Sequence, residues 1–174
     1  MAKRSREQVE IDEKRVIEEL QLHAKDSIDD LAKRCNFSGP KVRRIIKNLE
    51  DTQTIWGYHA VTDYEKIGLR EFILLVKKTT KPMDDVAEKI ISRNIEEKAK
   101  ELGIMIGSSF YLNGAYDWII CFTGIDLRHA KKFEGELIKM YKNNVQETQI
   151  LENIFTVKRS SILNPSLDKL REFI

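Results

Sequence analysis

Asp26-Ser27-Ile28-Asp29-Asp30-Leu31-Ala32-Lys33-Arg34-Cys35-Asn36-Phe37-Ser38-Gly39-Pro40-Lys41-Val42-Arg43-Arg44-Ile45-Ile46-Lys47-Asn48-Leu49-Glu50-Asp51 decides the first half of the fold. Asp26-Ser27 offers side-chain oxygens to cap a helix. Ile28, Leu31, Ala32 and Cys35 then recur at helical spacing. Asn36-Phe37-Ser38 reads as a turn. Pro40 sits near the first position of a following helix, where its fixed φ is already helical and its missing N–H leaves nothing unsatisfied. In that helix, expected over residues 39–51, Val42, Ile45, Ile46 and Leu49 fall at i, i+3, i+4 and i+7 and form one apolar stripe. Upstream, Ile11, Val16, Ile17 and Leu20 predict a helix over 11–22, closed by a short break at 23–25. Three short helices with tight turns make a helix-turn-helix unit. Ile55 to Val61 is expected to follow it as a strand or wing.

Charge is distributed unevenly over this unit. From Glu7 to Asp30 there are nine acidic residues; between Asp30 and Glu50 there are none, and six basic ones. The net charge of +2 hides this contrast. In a helix-turn-helix the second helix of the motif enters the major groove of double-stranded DNA. Arginine and asparagine there can reach base edges in pairs of hydrogen bonds, and lysine can neutralise phosphates. The candidate DNA-binding residues are therefore Ser38, Lys41, Arg43, Arg44, Lys47 and Asn48. The plainer reading of the same helix is a solvated charged face.

Beyond a linker at residues 63–68 the periodicity changes. Glu71 to Lys78 has the apolar run of a buried strand. Pro82 to Glu101 reads as a helix with Val86, Ala87, Ile90, Ile91, Ile95 and Ala99 inward and a break near 92–94. Ile104 to Leu112 and Ala115 to Thr123 read as strands joined at Asn113-Gly114, two residues that tolerate φ > 0. Asp126 caps a helix to about Lys142, and Val145 to Val157 reads as a long strand. The order is βαββαβ, so the fold class is α+β: an N-terminal winged helix-turn-helix plus a C-terminal ferredoxin-like βαββαβ domain. The divisions are 1–62, 69–158 and a tail of 159–174 in which Pro165 opens a short helix. Leu102 to Tyr116 carries no charge, although its strand would lie at a sheet edge, which proteins commonly defend with charge. Contact with a second subunit accounts for that, as does cover by the tail.

Ile11-Asp12, Val16-Ile17, Leu20, Leu31-Ala32, Phe37-Ser38, Val42-Arg43-Arg44, Leu49-Glu50 and Ile55-x-Gly57-Tyr58, in this order, resemble the DNA-binding domain of the leucine-responsive (Lrp/AsnC, feast/famine) regulators. Gly114-Ala115-Tyr116-Asp117 within βαββαβ resembles that family's sensing domain, and the likeness spans roughly residues 10–158. It implies homodimers that pair into higher assemblies and a small-molecule effector, often an amino acid, near the glycine-containing hairpin. Gly114, Tyr116, Asp117 and Thr148 are the effector-binding candidates it implies. The chain departs from the family at Ala115, where aspartate is usual, and at Ile150, where a second threonine is common. Asp51-Thr52-Gln53-Thr54 stands where Glu-Gly is expected.

Other classes have less support. Cys35 and Cys121 are far apart and build neither a disulfide framework nor a metal pair. His23, His59 and His129 have no metal-ligand spacing, and no phosphate loop or nucleophile elbow is present. No cofactor is expected. The polar Met1–Arg6 start lacks the apolar core of a signal peptide, and no apolar run could span a membrane, so a cytoplasmic protein is expected. Two alternatives remain: a metabolite-binding module with a vestigial helix-turn-helix, and an enzyme akin to family-like decarboxylases of a tetrapyrrole precursor.

Overall fold

The computed structural model describes residues 5–80 and 84–174. The chain divides into two compact units, one running to Val61 and joined by Thr156–Glu172 and Ile174, the other comprising Thr62–Phe155 and Phe173.

The first unit is built on helices α1 (Arg6–His23), α2 (Ile28–Cys35) and α3 (Gly39–Asp51). Ser5 and Ser27 cap α1 and α2 by accepting hydrogen bonds from the backbone N–H groups of Gln8 and Asp30. Asn36 closes α2 in the left-handed conformation at φ 55°, which asparagine adopts more readily than most residues. The stripes predicted from sequence meet in one core of Val16, Leu20, Leu31, Ala32, Cys35, Val42, Ile45 and Leu49. Ile11 is not in it: α1 turns that residue outward and buries Asp12 instead. Ile55 to Val61 does not form a strand; residues 56–63 have no regular structure. Among the described residues the hairpin of this unit is β5 (Lys158–Arg159) with β6 (Ile162–Leu163), which sequence reading missed. A 3-10 turn over Leu167–Glu172 replaces the helix expected after Pro165.

The second unit is a four-stranded antiparallel sheet in the order β2-β3-β1-β4, with β1 at Arg70–Lys78, β2 at Met105–Tyr111, β3 at Trp118–Gly124 and β4 at Val145–Glu152. Helices α4 (Asp84–Ile91), α5 (Asn94–Glu101) and α6 (Leu127–Met140) supply the crossovers, giving the expected βαββαβ order with β2 at an edge. Alternate residues Phe72, Leu74 and Val76 of β1 and Trp118, Ile120 and Phe122 of β3 are buried with Phe133, Leu137 and Tyr141. Phe133 is wholly buried, and truncating such a side chain to alanine costs about 3–5 kcal/mol. The helix break falls at Arg93, in the left-handed conformation at φ 58°. Ile95 and Ala99 are inward as predicted, whereas Ala87, Ile90 and Ile91 are exposed. Pro82 and the Val86 side chain lie outside what is described. At Gly124 an added Cβ would sit 2.6 Å from Ile104 Cδ1, so a larger residue there would make the end of the Ile104 side chain shift. β4 ends at Glu152, five residues short of the predicted strand, as Asn153 turns its side chain to Glu71.

Candidate nucleic-acid interface

The presentation of α3 follows from its packing. Val42, Ile45 and Leu49 face α1 and α2 and are buried, which turns Arg43, Arg44, Lys47 and Asn48 outward. At its N-terminus Ser38 occupies the cap position, but its hydroxyl makes no capping bond. Ser38 thus leaves the first N–H groups of α3 uncapped by its own side chain, and a helix N-terminus of this kind can receive a phosphate oxygen. Ser38 is exposed and its hydroxyl can join such a contact.

The six basic residues of the motif differ in their commitments. Arg34 is paired with Asp26 and, at 3.9 Å, with Glu19, and Lys33 with Asp30 at 3.5 Å. Lys47 is loosely set against Asp51 at 4.0 Å, both well exposed. Lys41 is a correction to the sequence reading. Its ammonium lies 2.7 Å from the buried Asp12 carboxylate and 3.2 Å from the centroid of the Phe37 ring, and its side chain is 14% exposed. It pins α3 to α1 and does not face outward. Asn48 stays exposed while donating to Glu13 Oε1 on α1 at 2.9 Å. Arg43 and Arg44 remain exposed with no ion pair among the described residues. The C-terminal end of α3 is tied to the following segment, where the Tyr58 hydroxyl donates to Glu50 Oε1 at 2.9 Å. Burial and this carboxylate push the Tyr58 phenol above its usual pKa.

The effector candidates do not converge on one cavity. The Asp117 carboxylate accepts from the Lys78 backbone N–H at 2.9 Å and lies 3.6 Å from its ammonium. The Lys78 ammonium also donates to the Tyr111 hydroxyl at 3.1 Å; that bond, with Asp117 nearby, holds its pKa above the usual value. Thr148 donates to Glu134 on α6 at 2.9 Å. Tyr116 donates to Gln149 at 2.9 Å, on the sheet face opposite Trp118, so the two aromatics do not share a face. Gly114 lies in the β2–β3 connection, which is longer than the expected two-residue turn: Leu112 N–H bonds to Asp117 O at 2.7 Å, and neither Asn113 nor Gly114 has a positive φ. Of the four, Asp117 borders a small, open cleft beside α4 whose lining includes Lys78, Tyr111, Trp118 and Tyr141. The Tyr141 hydroxyl in its wall is buried and has no hydrogen-bond partner among the described residues. Among the described residues no group of His, Cys, Asp and Glu side chains could hold a metal ion, and no helix is long and apolar enough to cross a membrane.

Residues 13–55 match the winged helix-turn-helix DNA-binding family. This defines the class of the first unit. The whole chain is similar to a transcriptional regulator of Neisseria meningitidis solved with L-methionine, at 19% identity and TM-score 0.65, covering 89% of this chain and 96% of that one. An AsnC-family transcriptional regulator from Agrobacterium tumefaciens aligns at 16% identity and TM-score 0.64, over 88% of this chain and 95% of that one. A feast or famine regulatory protein from Mycobacterium tuberculosis, complexed with L-methionine, aligns at 16% identity and TM-score 0.65, over 87% and 95%. The sequences of curated proteins give no match. The resemblance read from the sequence therefore holds at the level of the fold: the chain has the architecture of the AsnC-type, feast/famine regulators.

Proposed function

We propose that the chain is a sequence-specific DNA-binding transcription regulator that reads duplex DNA with α3. The observation that carries this is the state of Arg43 and Arg44. They are the two cations of the motif left exposed and without an ion pair among the described residues, side by side over the first two turns of α3, beside an uncapped helix N-terminus. Arginine there can make paired hydrogen bonds to guanine, and the helix N-terminus fixes a phosphate. A homodimer or higher homo-oligomer accompanies this reading, because a two-fold pair of α3 helices would read half-sites about one helical turn apart. The sheet face turned away from the helices supports dimerisation. Ile73, Leu75, Ile119 and Cys121 are only half buried there, and Met105, Phe110 and Leu151 are exposed. These half-buried and exposed apolar side chains support self-association through the sheet face as well as along the uncharged β2 edge.

A small-molecule effector such as an amino acid completes the proposal, since two proteins of the same fold were solved with L-methionine. Asp117 at the rim of the α4 cleft is the candidate best placed to meet it, while Thr148 and Tyr116 serve packing through Glu134 and Gln149. The test is selection of duplexes from a randomised pool by the full chain, followed by binding over a salt series. A recovered consensus, bound at least about a thousandfold more tightly than random duplex, is the expected result. No enrichment and no salt-dependent binding would give the lead to the metabolite-binding module with a vestigial helix-turn-helix.

A further inference from the structure

A winged motif normally sets a hairpin beside its recognition helix, yet residues 56–63 form no strand. The hairpin in that unit comes instead from the far end of the chain. We propose that the β5–β6 hairpin, with the Thr52–Thr62 segment beside it, takes the place of the wing and grips the DNA backbone flanking the site read by α3. The inference rests on the DNA-binding reading above and adds a second contact surface to it.

Placement is the first support. Thr156–Glu172 belongs to the helix-turn-helix unit. At the hairpin turn Ser160 Oγ lies 3.4 Å from His59 Nε2, and the adjacent Tyr58 is bonded to Glu50 at the end of α3. The turn is thus joined, through two consecutive residues, to the recognition helix.

Charge is the second support. Neither Thr52–Thr62 nor Asn153–Leu167 contains an acidic residue. At the chain's average of 28 acids in 174 residues, these 26 positions would hold about four. What they hold instead are donors suited to phosphate: Lys158, Arg159, and the hydroxyls of Ser160 and Ser161. Lys158 is exposed and has no ion pair among the described residues. Arg159 donates to Thr156 Oγ1 at 3.1 Å, which braces the base of the hairpin. Ser160 and Ser161 adopt φ 44° and 69°, the two left-handed positions of a tight hairpin turn that glycine or asparagine enters more easily. Serine there adds hydroxyls at the tip.

The third support is Trp56, which is 94% exposed in the same acid-free segment. An indole left in water presents a large apolar face and an N–H donor to whatever docks. Val157 and Leu163 are also exposed, which would suit a second copy of the chain. The absence of acidic residues from the stretch Asn153–Leu167 around Lys158 favours DNA over protein.

The experiment uses the full chain, with fluorescence anisotropy on the selected duplex and on a random duplex of equal length, from about 50 to about 300 mM salt. Lys158→Ala is expected to weaken both complexes about three- to tenfold and to flatten the plot of log K against log salt by about one unit, the effect of losing one phosphate contact. Ser161→Glu, which puts an acid at the turn, should weaken both complexes further, and Trp56→Ala should weaken both without altering base preference. Circular dichroism confirms that each variant is folded, and Lys158→Gln serves should the alanine variant not be. Wild-type affinity and slope in the Lys158 and Ser161 variants, with Arg44→Ala impaired, would overturn the wing while leaving the α3 reading intact. A change of molecular mass by light scattering, with the salt slope unchanged, would overturn it in favour of contact between copies. If the wild-type chain binds neither duplex, both readings fall together.

Discussion

Replacing Lys41 by methionine separates an internal strut from a DNA contact. Lys41 and Asp12 are 14% and 8% exposed at 2.7 Å. At an effective dielectric of about 20 their attraction is about 6 kcal/mol, set against the cost of desolvating both groups. The Phe37 ring under the ammonium, at 3.2 Å from its centroid, adds about 1–2 kcal/mol. Methionine keeps the length and apolar volume of the stem and leaves the Asp12 carboxylate buried without its cation. Breaking a buried pair in this way costs about 3–5 kcal/mol. In a unit of this size that lowers the melting temperature by roughly 10 °C or more. Removing both charges, Asp12→Leu with Lys41→Met, should recover most of the loss, because the apolar replacement leaves no unpaired charge. Thermal melts of the two single variants and the double variant give the coupling, and a DNA salt series on the folded protein gives the contact count. A Lys41→Met protein that melts like wild type but loses DNA affinity, with a salt slope reduced by one unit, would refute the assignment.

Other perturbations follow from the same geometry. Arg44→Ala should cost about 1–3 kcal/mol on the selected duplex and much less on random DNA, whereas Lys47→Ala should weaken both equally and flatten the salt slope by about one unit; equal losses on both duplexes from the two variants would remove Arg44 from base readout. If the chain self-associates as proposed, Phe110→Asp, which places a charge on the exposed apolar sheet face, should lower the molecular mass by light scattering, and an unchanged mass would take that face out of the proposed interface. Burial raises the Tyr141 phenol above the usual tyrosine range, so the stability it contributes is complete below about pH 10 and lost as pH rises through the raised value. Tyr141→Phe removes an unpartnered hydroxyl, so it should melt no lower than wild type at pH 7 and lose less stability at alkaline pH; an equal alkaline loss would assign it to another group. Free L-methionine and other amino acids should raise the melting temperature by mass action, and no shift at saturating concentration would count against sensing.

The sequence disclosed most where one periodicity served one core. Val42, Ile45 and Leu49 announce the buried stripe of α3, and the structure buries them. In the second half, apolar strands separated by amphipathic helices define βαββαβ, and the sheet order follows. It disclosed less where polar groups pair over long sequence distance. Nothing in the spacing of Lys41 says that Asp12, on a different helix, is buried and waiting for a cation. The same holds for the bonds of Asn48 to Glu13 and of Thr148 to Glu134, which the spacing does not announce. Periodicity assigns a residue to a face, but a long flexible side chain reaches past the edge of its face.

The tail illustrates the converse. Lys158-Arg159-Ser160-Ser161-Ile162 has the alternation of neither a long strand nor a helix, so sequence reading extended the preceding strand to Val157 and left the rest as an appendage. Its composition nevertheless carried a usable signal, since Asn153–Leu167 lacks acids in a chain otherwise rich in them. A charge pattern without periodicity does not set secondary structure, but it does restrict the partner: segments that lack acidic residues and expose a lysine and a tryptophan are suited to a polyanion. That argument draws on different residues from the one from α3. If both hold, each protomer meets DNA through two surfaces, one that reads bases and one that counts phosphates. Substitutions on the two surfaces should then add in binding energy, because they remove contacts with no shared partner.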